Sequence, residues 1–157
     1  MLKSLVPILA GISSLFFSTV ANADTITIDI PGKLVTYRDD LTGVYLEYQA
    51  VFPRDNIKHV YKQLSSHDVD AMHLKPNWKS LSGVKYPGGH PDNPLGAGRI
   101  RFLSTREGFE RNCSIHGGAE RRHLGQSLSG CCIRLIDDEF LELFWNITYD
   151  TYVEIIF

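Results

Sequence analysis

The chain reads as a mostly β domain, an antiparallel β-sandwich or barrel with one principal helix, and three observations predict it. β-Branched alternations recur in short runs near both ends of the domain, as in Thr25-Ile26-Thr27-Ile28. Proline- and glycine-rich punctuation separates those runs. Only one stretch, headed by Asp137-Asp138-Glu139, carries a helical apolar period.

The elements follow in order. Residues 25–30 alternate across one face and predict a strand, Pro31-Gly32 a tight turn, and residues 34–37 the hairpin partner. Residues 39–43 form a second turn before a strand over 44–52, in which Val44, Leu46 and Tyr48 alternate with more polar neighbours. Residues 53–75 stay unassigned, since 55–64 suits a short helix or a strand and 65–70 is polar turn material. Residues 86–98, YPGGHPDNPLGAG, place three prolines among repeated glycines, which no regular element tolerates, and predict a long ordered loop walling a groove. A strand over 99–103, a turn near Glu107-Gly108 and an extended segment over 112–116 follow, the last delivering His116 to Gly117-Gly118. The acids at 137–139 suit the positive end of a helix running to Ile147, with Phe140, Leu141, Phe144 and Trp145 on its core face. Residues 152–157 close the chain as a strand.

Residues 1–23 stand apart from this pattern. Lys3, an apolar run over 5–20 and Ala21-Asn22-Ala23 match the three regions of a secretory signal peptide, with cleavage expected after Ala23 and a domain over 24–157. A transmembrane anchor is the rival, but Pro7, Gly11, Ser13, Ser14, Ser18 and Thr19 interrupt a run already short for a bilayer core of roughly 30 Å. Contact with the membrane is therefore expected only through this leader before cleavage. The 157 residues, 43% hydrophobic and 22% charged, suffice for one domain with a core. A net charge of −2, made more negative by loss of Lys3, and the lack of a Lys/Arg block argue against a nucleic-acid partner.

Three cysteines in an exported chain leave at least one thiol unpaired. That thiol either packs as a small hydrophobe or reacts. The segment SIHGGAERRHLGQSLSGCCIR, residues 114–134, argues for reaction: it sets His116-Gly117 before Ser129, Cys132 and Arg134, as two neighbouring strands would carry an imidazole base and its cysteine nucleophile. A Cys113–Cys132 disulfide would make Cys132 structural. A Cys113–Cys131 bond would leave Cys132 as the free thiol, and a vicinal Cys131–Cys132 bond would block it. Cys113, His116, Cys131 and Cys132 also number enough for zinc, at a spacing unlike a standard finger. Arg121, Arg122 and His123 read as a solvated loop, and His59, His67, His73 and His90 show no ligand spacing.

Four stretches together resemble the L,D-transpeptidase catalytic domain (YkuD-type), exported cysteine enzymes that remodel peptidoglycan. They are Ile28-Asp29-Ile30-Pro31 with Leu34 and Tyr37, Lys75-Pro76-Asn77-Trp78, Pro87-Gly88-Gly89 with Asp92-Asn93-Pro94-Leu95-Gly96, and the catalytic segment. In the last, the family pattern is His-Gly and, twelve residues on from that Gly, Ser-His-Gly-Cys, an apolar residue, then Arg or Asn; His116, Gly117, Ser129, Cys132, Ile133 and Arg134 match it. Gly130-Cys131 stands where the family has His-Gly, and the Thr-Pro-x-Gly turn common in relatives is missing between Phe52 and Trp78.

The resemblance implies that His116 takes the proton of Cys132 while the Gly117 carbonyl orients the ring. The thiolate then attacks a peptidoglycan tetrapeptide stem before its terminal D-Ala, leaving a thioester. An amine of a second stem or of a lipoprotein resolves the thioester in transpeptidation, and water does so in carboxypeptidation. Backbone N–H groups of Cys131 and Cys132 would hold the oxyanion, each worth about 3 kcal/mol. A glycine-to-cysteine change at 131 would disturb that turn if it requires positive φ. Arg134 would face a stem carboxylate, with Ser129 and Cys131 also lining the substrate side. No cofactor and no metal are implied, and the expected location is the periplasm or cell envelope. Gly130 and Cys131 suggest the runner-up, a non-catalytic peptidoglycan-binding domain of the same fold.

Overall fold

The computed structural model describes residues 24–54, 67–102 and 113–157. The leader over 1–23, the helix-or-strand alternative over 55–64, the end of the predicted strand at Leu103 and the turn at Glu107-Gly108 lie outside the described residues.

Period-2 alternation builds the first hairpin. β1 (Thr25–Asp29) buries Ile26 and Ile28, β2 (Leu34–Arg38) buries Val35 and Tyr37, and they pair antiparallel with Ile28 opposite Val35. The Pro31-Gly32 turn is tied by the Asp29 carboxylate, which accepts the Gly32 N–H at 2.8 Å. The strand predicted over 44–52 is two strands, β3 (Tyr45–Gln49) and β4 (Phe52–Pro53). The break falls where Val51 leaves the hairpin to bridge Arg134, each N–H donating to the other's carbonyl at 2.9 Å.

The unassigned stretch contains β5 (His67–Leu74), and the short hairpin β6 (Trp78–Lys79) with β7 (Lys85–Tyr86) precedes the proline-glycine loop. After the loop come β8 (Gly98–Phe102), β9 (Ser114–His116), β10 (Ser127–Ser129), β11 (Ile133–Arg134), α1 (Asp137–Asn146) and β12 (Tyr152–Ile156). Eight strands form one sheet in the order β11-β9-β8-β5-β12-β1-β2-β3. The Val51–Arg134 bridge brings the chain leaving β3 back to β11, so the two ends of the sheet meet as in a barrel.

The mostly antiparallel reading stands, with three parallel exceptions: β1 with β12, β4 with β10, and β9 with β11. The last is possible because the excursion from Gly117 through the 3₁₀ turn Arg121–His123 and β10 carries the chain back to the starting end of β9.

Helix α1 covers one side of the sheet. Phe140, Leu143 and Phe144 are its buried residues, while Trp145, expected in the core, is 71% exposed. Leu143, one turn from Phe140, takes that place, and Trp145 instead meets Phe144 edge-on at 5.2 Å. The Tyr37 hydroxyl donates to the Asn146 carbonyl at 2.7 Å and that of Tyr48 to the Glu142 carboxylate at 3.1 Å, so β2 and β3 each hold the helix by one tyrosine.

Candidate active site

Three adjacent strands present the site on one face and the core on the other. The registers align Arg99 with His116 and His116 with Arg134, while Ile100, Ile115 and Ile133 line up on the opposite, fully buried side. Continuing the β9–β11 register one residue back sets Cys132 beside Ser114. Parallel pairing therefore brings His116 and Cys132, 16 residues apart in sequence, to one patch.

Cys113, directly before β9, is disulfide-bonded to Cys131, with Cα atoms 5.3 Å apart, and Cys132 keeps its thiol outside the disulfide. This decides among the pairings open in the sequence and takes two of the four zinc-ligand candidates. The bond also fastens the residue before Cys132 to the entrance of the strand that carries His116. Cys131 has no positive φ, so a cysteine in place of the expected glycine imposes no backbone strain here.

His116 is buried, and its Nδ1 lies 2.7 Å from the Gly117 carbonyl. A carbonyl only accepts, so Nδ1 carries the proton and Nε2 of the neutral ring holds the lone pair. Burial pushes His116 down to about 4, and the Arg134 and Arg99 charges act in the same direction, against the Gly117 bond and the Asp137 carboxylate. At neutral pH the ring is an uncharged base.

Asp137 shapes the neighbouring backbone. One carboxylate oxygen accepts the Ala97 and Gly118 N–H groups, each at 2.8 Å, and so joins the proline-glycine loop to the turn after His116 at the start of α1. A Cβ at Gly117 would collide with that carboxylate and come within 2.9 Å of the Ala97 nitrogen. In the loop itself, buried Asn93 donates to the carbonyls of Pro76 and Pro87 at 2.9 and 3.1 Å and accepts the Leu95 N–H at 3.0 Å. The loop is thus built from its own polar contacts rather than from a regular ladder.

The resulting groove, about 540 Å³, is lined by His116, Cys132, Arg134, Ser129, Gly130 and Cys131 on one side and by Trp78, Leu81, Pro94 and Leu95 on the other. The predicted wall role of the proline-glycine loop therefore falls to Pro94 and Leu95. Ser129 and Cys131 line the groove with their polar atoms already engaged, the Ser129 hydroxyl donating to the Cys132 carbonyl and the Cys131 sulfur held in the disulfide. Arg134 Nε is buried and without a hydrogen-bond partner among the described residues. Nothing lies within 4 Å of where a Gly130 Cβ would stand, so this position opens the groove. Among the described residues no cluster of His, Cys, Asp or Glu is disposed to hold a metal ion.

Ser114, Arg99 and Asp137 are the site-building residues that motif spacing did not single out. Ser114 lies two positions before His116, and strand alternation alone places it on the same face.

No protein-family model matches the chain. A 66-residue stretch is 41% identical to the Bacillus subtilis (strain 168) protein named "Putative L,D-transpeptidase YqjB", spanning 42% of this chain and 37% of that one. Solved structures extend the likeness as one of fold. An L,D-transpeptidase from Mycobacterium tuberculosis H37Rv superposes with a TM-score of 0.61 at 14% identity, over 86% of this chain and 58% of that one. The catalytic domain of the Enterococcus faecium L,D-transpeptidase gives 0.56 at 17% identity, over 86% of this chain and 98% of that domain. The chain thus resembles L,D-transpeptidases in sequence over part of its length and shares the fold of their catalytic domains over most of it.

Proposed function

We propose that this chain is an L,D-transpeptidase acting on peptidoglycan tetrapeptide stems, with Cys132 as nucleophile and His116 as base. One observation carries the reading: of three cysteines only Cys132 stands outside a disulfide, and it shares a groove with a buried, neutral histidine whose Nδ1 is committed to Gly117.

In this reading His116 Nε2 takes the Cys132 proton as the sulfur attacks the carbonyl preceding the terminal D-Ala. The tetrahedral oxyanion is held by the N–H groups of Cys131 and Cys132, and its collapse expels D-Ala, with the proton returned by His116. The thioester passes to an amine of a second stem, or of a lipoprotein, and regenerates the thiol. Water in place of the amine makes the reaction a carboxypeptidation. Arg134 lines the groove and its buried Nε has no hydrogen-bond partner among the described residues, which supports a carboxylate-bearing substrate, to which a guanidinium offers a planar fork. Residues 1–23 support export to the cell envelope, where such stems are found.

Gly130 favours a second reading, a peptidoglycan-binding domain that retains the groove without turnover. Incubation with a disaccharide tetrapeptide, followed by mass analysis, separates the two. Loss of D-Ala and a thioester on Cys132, both absent from Cys132→Ala, are expected. Cross-linked dimer marks transpeptidation and tripeptide marks carboxypeptidation, whereas bound but unaltered stem establishes the binding domain. Imipenem is a second probe, because an L,D-transpeptidase of this fold has been solved in complex with it. Mass addition at Cys132 is expected.

A further inference from the structure

We infer that Ser114 is a further catalytic residue of this site, its hydroxyl donating a hydrogen bond to the ionised Cys132 sulfur and Arg99 fixing the direction of that bond as a positioning residue. The inference rests on the cysteine-nucleophile reading above and names the group that steadies the sulfur once His116 has taken its proton.

Ser114 Oγ lies 3.5 Å from Cys132 Sγ, and Arg99 Nε lies 3.1 Å from the same Oγ. A guanidinium has donors only, so the serine oxygen accepts from Arg99. A thiolate has acceptor capacity only, so after proton transfer to His116 the contact between Ser114 and the sulfur is made by the serine proton. The chain Arg99 N–H to Ser114 O–H to Cys132 S⁻ then runs in one direction, and the guanidinium polarises the hydroxyl it binds. Only the proton of Cys132 moves, from Sγ to His116 Nε2.

Ser114 is completely buried, a setting in which a hydroxyl is costly unless paired, and its hydroxyl is within hydrogen-bond reach of Arg99 and Cys132. Neighbouring Arg101 is instead engaged by Asp70, with Nη2 to Oδ2 at 2.7 Å, so the two arginines of β8 have different partners on the same face.

The test is alkylation of Cys132 by iodoacetamide in the oxidised protein, with Cys132→Ala as the unlabelled control. Ser114→Ala is expected to slow labelling about tenfold at pH 7 and to converge on the parent rate at pH 10, above the range in which cysteine thiols ordinarily ionise. Arg99→Gln should give a smaller loss of the same form, and Ser114→Thr should recover most of the lost rate. Parental labelling of Ser114→Ala at pH 7 overturns the proposal, as does equal slowing at both pH values, which marks a packing role. If Ser114→Ala does not fold, Arg99→Gln carries the same comparison. Because alkylation needs no stem peptide, failure to cleave stems with this pH signature intact refutes the proposed function alone.

Discussion

At the residue scale, His116 links chemistry to stability. In the unfolded chain it titrates near its ordinary 6.5, and in the fold it is pushed down to about 4, chiefly by burial. Between those values the unfolded state holds a proton that the native state does not. Its contribution to stability is therefore complete above about 6.5 and is lost as pH falls through 4, amounting to about 3 kcal/mol. Urea midpoints measured from pH 7 to pH 4 should fall steadily, and His116→Gln should flatten that part of the profile. The Cys132 alkylation rate should also decline toward pH 4 as the ring charges and ceases to be a base. Gly130 poses the complementary question. Its Cβ direction is open and its φ is not positive, so Gly130→His should fold with a melting temperature close to the parent. If the missing imidazole limits turnover, D-Ala release from a tetrapeptide should rise in this variant; if the wider groove instead admits the substrate, KM should rise.

At the scale of elements, the site is a junction of one loop, one strand end and one helix start, held by a single carboxylate. Asp137→Ala deprives the Ala97 and Gly118 N–H groups of their acceptor. A loss of about 1–3 kcal/mol is expected, with slower Cys132 alkylation because Gly117, which orients His116, lies in the released turn. Asp137→Asn keeps an acceptor oxygen and should lie between the two, as thermal melts with parallel labelling would show. That His116 and Cys132 share one groove was legible in the sequence because their spacing is a motif. Asp137 was legible only as an acid suited to a helix start, since a backbone contact 40 residues away has no local signature. Ser114 and Arg99 were hidden for a related reason: their meeting depends on how β8, β9 and β11 register, not on either residue's neighbours. Three cysteines indicated an unpaired thiol, but only the three-dimensional placement of Cys113 beside Cys131 says which. The aromatic spacing of α1 points to Trp145, but Leu143 completes the buried face.

At the scale of the whole molecule, β12 joins the part that holds the site to the part that opens the chain. It lies between β5, next to the β8-β9-β11 face, and β1, which continues into the N-terminal hairpin. Ile26 faces Val153 across the parallel pair, and both are fully buried. A strand late in the sequence thus closes contacts with the start of the domain, and neither half completes its core without it. This long-range closure predicts cooperative unfolding with coincident transitions for the hairpin and the site. Val153→Ala removes two methyl groups at that joint and should cost about 2 kcal/mol, because neighbours on both sides are fixed in strands and cannot close the gap. Urea dependences followed by hydrogen exchange of the β1–β2 amides and by protection of Cys132 from alkylation should shift together, with an unchanged slope. In the native baseline the labelling rate should stay at the parent value, since Val153 touches the site only through the fold. Separate shifts of the two probes would mean that the hairpin and the active-site face unfold as independent units, leaving β12 as a boundary between them.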